Sequence, residues 1–207
     1  MAQMQAVVGP SRPADGSTAV ARLGKDAELD VSQLNARSYE SCYRQRLFTA
    51  GAIVTAPVIF STAAGTGGPF IWNGSTTVNA VLLKIGFSTS VVTTVAGGLG
   101  ITGALGQSVV PTSTTVVDFA AKNCFIGGAL PLCTAYRVAT PLLAGSFFVP
   151  FAQFHTGALT VDTTGVAWVD LEGSIIVPPN GWASVAGTAT LTTLVASVAL
   201  IWAEVPI

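Results

Sequence analysis

The placement of charge constrains this chain more than any other feature. Six of its nine Lys and Arg and five of its ten Asp and Glu fall within residues 1–46. The rest of the chain carries three basic and five acidic side chains, and the stretches 85–117, 138–161 and 173–203 carry none. A soluble domain ordinarily keeps about 25–35% of its surface charged. Only 9% of this chain is charged and 50% is hydrophobic. The body beyond residue 46 must therefore be covered by partner subunits, covered by lipid, or solvated by its Ser and Thr.

Spanning helices are the first reading to remove. The uncharged stretches exceed the roughly 20 residues that a bilayer requires. Thr, Ser and Gly interrupt them, however, and Pro111, Pro141, Pro150, Pro178 and Pro179 would each strand backbone groups in lipid. A net charge of −1 supplies no basic field for nucleic acid. The N-terminus, "MAQMQAVVGPSRPADG", lacks a basic region leading into an apolar core, so no signal peptide is expected. The cysteines Cys42, Cys124 and Cys133 are odd in number and none has C-x-x-C spacing, which fits buried free thiols in a chain made in a reducing cytoplasm.

Along the chain, residues 1–29 read as an arm punctuated by Pro10, Pro13 and Gly16. Asp30 with Gln33 stands in the capping-box relation, and residues 31–47 lack Gly and Pro, which predicts a helix. Leu34, Ser38 and Cys42, together with Tyr39, Tyr43 and Leu47, recur every four residues and form one stripe; Arg37, Arg44 and Arg46 lie off it or at its edge. From residue 51 onward, Val, Ile, Thr, Phe and Trp dominate and turn residues recur every 8 to 15 positions. Phe70 to Val78, "FIWNGSTTV", reads as a hairpin about Asn73-Gly74. Val78 to Phe87 reads as a strand. The stretch from Thr156 to the end reads as at least four strands, with turns at Asp162–Gly165, Leu171–Gly173 and Pro178–Gly181. Many short strands without intervening helices predict an antiparallel β-sandwich or barrel. The expected organisation is an arm with a short helix over 1–50 and a β body over 51–207.

Candidate sites are few. Gly98-Leu-Gly-Ile-Thr-Gly103 matches G-x-G-x-x-G, with Asp118 twenty residues after Gly98. A dinucleotide loop needs a following helix whose N-terminus faces the pyrophosphate. The residues that follow, "ALGQSVVPTSTTVVDF", are β-branched and contain Pro111, so the expectation is a glycine-rich connection between strands and no nucleotide. Asn73-Gly-Ser75 is a formal glycosylation sequon, better explained as a turn. The lone His155 has no second His and no G-x-S-x-G elbow to work with. Asp170 and Glu172 would share a face of an extended strand, and with Asp162 could approach a calcium ion, but the carboxylates are sparse for such a loop. No catalytic set, metal site or cofactor is expected. Trp72, Trp168, Trp182 and Trp202 are spread out and are expected in the core or at a subunit contact; the alternative is an exposed, sugar-stacking ring, for which Trp182, beside Pro178-Pro179-Asn180-Gly181, is the candidate.

Two segments together resemble tailed-bacteriophage virion structural proteins. Residues 21–51, "ARLGKDAELDVSQLNARSYESCYRQRLFTAG", are similar to their opening: Leu-Gly-Lys, an acidic-apolar stretch, a helix with Tyr-Glu, a basic residue and a strand start. Residues 172–207, "EGSIIVPPNGWASVAG…SVALIWAEVPI", resemble their closing strand, proline turn and last strand ending in Trp-x-Glu-Val-Pro. The resemblance implies a jelly-roll-like sandwich and a capsid decoration, or cement, protein. Such a protein forms trimers on the capsid surface of the virion, binding itself and the major capsid protein or a neighbouring virion protein, with no nucleic acid and no membrane. Contacts would then fall on Arg12, Arg22, Lys25, Leu34, Tyr39, Tyr43, Arg44 and Arg46 of the arm and helix, and on Trp182 and Trp202. Two other readings remain: a tail or head-fibre protein binding host-surface glycans, and a membrane-embedded β protein.

Overall fold

A computed structural model describes residues 38–55, 69–91, 97–115, 121–140, 144–154, 166–189 and 194–207. The chain divides into two compact units, Met1–Glu40 and Ser41–Ile207. Within the first, only residues 38–40 are described. The arm and most of the predicted helix lie outside the described residues, with Arg12, Arg22, Lys25 and Leu34 on them.

The described helix, α1, is short: Tyr39–Tyr43. It does not run to residue 47 as its stripe suggests. Arg46 N–H donates to Ser41 O and Gln45 N–H to Cys42 O, both at 2.9 Å, while Gln45 takes φ 59°. That paired bonding about a left-handed residue is a Schellman stop. The chain then enters β1, Leu47–Thr55, so the β body begins a few residues before 51.

The strands that follow are β2 (Phe70–Trp72), β3 (Val78–Val91), β4 (Gly97–Leu105), β5 (Thr112–Thr115), β6 (Lys122–Asn123), β7 (Thr134–Tyr136), β8 (Val138–Thr140), β9 (Phe147–Phe154), β10 (Val166–Val177), β11 (Gly181–Gly187) and β12 (Val195–Pro206). They form two five-stranded antiparallel sheets, β10-β3-β12-β1-β6 and β7-β2-β11-β4-β9, and a small β5-β8 ladder. The pairing is nested. β1 pairs with β12, β2 with β11, β3 with β10 and β4 with β9. The pairs β3–β12 and β4–β11 then join these ribbons side by side.

Period-two alternation explains which side chains go inward. On β12, Val198, Leu200 and Trp202 are buried, whereas Ser197 is exposed and Ala199 and Ile201 half-buried. One buried cluster draws Phe48, Leu82 and Trp202 from the first sheet and Ile71, Leu99 and Val185 from the second. A smaller one takes alternate residues of the second sheet: Phe70 stacks on Trp182 with ring centroids 5.2 Å apart and meets Tyr136 edge-on. β11 is therefore buried on both faces, as its unbroken small and apolar run allows.

Several local expectations are revised. Asn73-Gly74 is not a hairpin turn, because β2 and β3 belong to different sheets. Asn73 is fully buried; its Nδ2 donates to Val78 O at 2.8 Å and Val177 O at 2.9 Å, and its Oδ1 accepts from Ser75 N. This amide latches the crossing between the sheets and leaves no accessible sequon nitrogen. The G-x-G-x-x-G run lies inside β4 rather than between strands. Two of its glycines answer to crowding: a Cβ on Gly103 would overlap the Trp182 carbonyl oxygen, and one on Gly100 would stand 2.6 Å from Val149 O. Leu171–Gly173 is a bulge within β10, not a turn between strands. Leu171–Ser174 face Leu83 alone, with Glu172 at φ 51° and Gly173 at φ 80°. The Pro178–Gly181 turn forms as expected, closed by Gly181 N–H to Pro178 O at 2.8 Å with Asn180 at φ 59°.

Candidate interaction surfaces

Three exposed features stand out on Ser41–Ile207. The first is the loop of residues 124–133, "CFIGGALPLC", which joins β6 to β7. Asn123 opens it. Its Oδ1 accepts Phe125 N–H at 2.8 Å, and its Nδ2 donates to Gln45 O at 2.8 Å and Ala129 O at 3.1 Å. Gly128 N–H donates to Phe125 O at 2.8 Å, and Gly127 takes φ 82°. Those values define a type II turn, which requires the positive φ that Gly supplies. Ile126 rides at its first corner, 97% exposed. Gln45 Oε1 accepts Ala129 N–H at 3.1 Å.

The far end of the loop is held by Glu204. This carboxylate is 5% exposed; Oε1 accepts Cys133 N–H at 2.8 Å and Oε2 accepts Leu132 N–H at 3.0 Å. Charge-assisted bonds to successive amides are the strong kind. Burial and the neighbouring Glu204 carboxylate both push the Cys133 thiol well above its ordinary value. The result is a loop fixed at both ends that exposes Phe125, Ile126, Leu130 and Leu132. No charged residue occurs between Lys122 and Arg137.

The second feature is a groove where β4, β9, β10 and β11 end near one another. It is lined by Leu105, Phe147, Ile176, Pro178 and Trp182 among others, and offers about 170 Å³, open to solvent on one side. Leu105 and Ile176 are more than half exposed at its rim. No lining residue is charged.

The third is Trp168 on β10, 59% exposed. Its ring covers Gly86 of β3, where a Cβ would come within 2.8 Å of it. Beside it Lys84 Nζ lies 3.6 Å from Asp170 Oδ2, both side chains about half exposed. Asp170 Oδ1 also accepts Glu172 N–H at 3.0 Å. Asp170 and Glu172 are both exposed, on either side of buried Leu171, and no group of three possible metal ligands occurs among the described residues. Asp162 and His155 lie outside those residues.

The sequence-based contact residues fare unevenly. Trp182 and Trp202 are 4% and 0% exposed, so their rings pack into this chain's own interior; Trp202 is sealed within it, while Trp182 keeps an edge on the lining of the groove. Tyr43 and Arg44 are exposed and Arg46 half-buried; of Tyr39 only its place in α1 is described. The terminal strands are blunted. β9 carries Pro150 and β10 carries the bulge, both of which discourage strand addition. No protein family, characterised protein or solved structure was found to match the chain. No helix among the described residues is long and apolar enough to cross a membrane.

Proposed function

We propose that this chain is a non-enzymatic virion structural protein, a capsid decoration or cement protein that binds the outer shell as a trimer. The nested strand pairing carries the reading. Eight strands pair first with last, and so inward, which supports a jelly-roll-like sandwich, a build used by viral capsid and lectin domains. Fold alone does not assign function; the surface adds the second support. The body beyond residue 46 is charge-poor yet exposes large apolar side chains on ordered segments, which suits a protein whose neighbours cover it. An arm of polar composition suits wrapping over the surface of a neighbour, and many repeated weak contacts reinforce one another on a shell.

The test is removal of residues 1–29. The shortened chain should still trimerise and should lose binding to intact capsids. Capsid binding equal to that of the full chain would refute the arm's role. A second reading, a fibre protein binding host glycans, is favoured by one observation: the Trp168 ring, exposed beside a polar ion pair, offers a stacking platform. A glycan array separates the two, since only the fibre reading requires hits that vanish in Trp168→Ala.

A further inference from the structure

We infer that the copies associate head to tail, the 124–133 loop of one entering the β4/β9/β10/β11 groove of the next. This rests on the self-association proposed above and names its surfaces. The two features are complementary in shape, since one protrudes and the other is concave. They are matched in chemistry, because both are apolar and neither carries a charge. Burying a charge would be costly; burying these is not.

Size agrees. The groove's 170 Å³ compares with a cavity of about 150 Å³ that takes up benzene, so it admits one large apolar side chain. Ile126, almost wholly exposed at the apex of its turn, is the natural occupant. Phe125, Ile126, Leu130 and Leu132 together expose on the order of 500 Å², at the upper end of the largest patch on an ordinary monomer. That is more than half of the roughly 800 Å² each partner contributes to a standard interface. The turn and the Glu204 anchor hold the loop in place beforehand, so little ordering cost falls on docking.

Topology sets the two features apart. The loop joins β6 and β7, which terminate their sheets on one side; the groove involves β10 and β9, which terminate them on the other. Between β6 and β10 lie three strands, a span of about 19 Å at the usual strand spacing. Loop-to-groove contacts passed from one copy to the next are heterologous, and such contacts close into rings when the rotation permits. A trimer is one such ring.

Two substitutions at exposed positions of the full chain test this: Ile126→Asp in the loop and Ile176→Asp at the groove. Leu130→Asp and Leu105→Asp serve as second variants, and circular dichroism verifies folding of each. Light scattering should show every variant at the monomer mass of 21.0 kDa, with the dissociation constant raised about 30-fold or more, as for a central anchor residue. Mixing Ile126→Asp with Ile176→Asp should restore a dimer and nothing larger, because one intact groove meets one intact loop. If wild type assembles and the groove variants assemble equally well, the head-to-tail contact is refuted while self-association stands. Monomeric variants that fail to complement on mixing also refute it. A wild-type chain that stays monomeric overturns self-association and this contact together.

Discussion

Replacing Gly100 by Ala should lower the melting temperature by about 2–12 °C, while the same replacement at Gly51 should raise it by about 1–4 °C. Both glycines sit within strands and neither has a positive φ. A Cβ on Gly100 would stand 2.5 Å from Phe148 Cζ and 2.6 Å from Val149 O. The phenyl ring can turn aside. The carbonyl belongs to the backbone of β9, which pairs with β4 at this point, so one strand must move. Overpacking of this kind costs about 1–3 kcal/mol. At Gly51 the nearest atom, Val198 O, lies 3.5 Å away, an ordinary contact. There the change mainly restricts the unfolded chain and contributes about 0.4–1 kcal/mol of stability. Calorimetry at one fixed protein concentration is the assay, since association makes melting temperatures concentration-dependent. If Gly100→Ala melts at or above wild type, or the two variants fall together, crowding is not why β4 is rich in glycine.

Other outcomes follow from the same geometry. Glu204→Gln leaves one acceptor for two amides and sets a donor against an N–H; it should cost about 1–3 kcal/mol and accelerate hydrogen exchange at Leu132 and Cys133. Asn73→Ala leaves the Val78 and Val177 carbonyls without their amide and should cost at least as much, read as a lower urea midpoint; an unchanged midpoint would refute the latch. The Cys133 thiol is raised in the folded state, so the unfolded chain loses its proton first. Stability should be full below about pH 9 and fall above it, on the order of 1 kcal/mol per pH unit. Cys133→Ala should flatten that decline, and an unchanged slope would contradict the assignment.

How far the sequence revealed this fold depends on the kind of signal. The β-branched composition and the Pro178–Gly181 turn are local, and they led directly to strands and a turn. Asn73-Gly74 misled because an Asn-Gly pair looks the same at a hairpin and at a crossing between sheets; what decides is the burial of the amide, a tertiary matter. Gly98 to Gly103 misled because glycine marks both a bend and a close approach, and only the neighbouring β9 and β11 distinguish them. The exposed tryptophan could have been found: Trp168 stands two residues from Asp170 and so shares its charged face, whereas Trp182 adjoins small and apolar residues. The 124–133 loop was missed because its exposure is a tertiary matter that an uncharged "FIGGALPL" does not announce. Its signals were Asn123 ahead of it, the Gly-Gly pair and Pro131. The Glu204 anchor had no signal at all, being 71 residues from Cys133 in sequence.

Self-association is what the proposed structural role most requires, and the mass of the chain in solution tests it most directly. Light scattering on the full chain, without detergent and across a range of concentrations, should give three times the 21.0 kDa of one copy. A mass of one copy at every concentration would contradict the account.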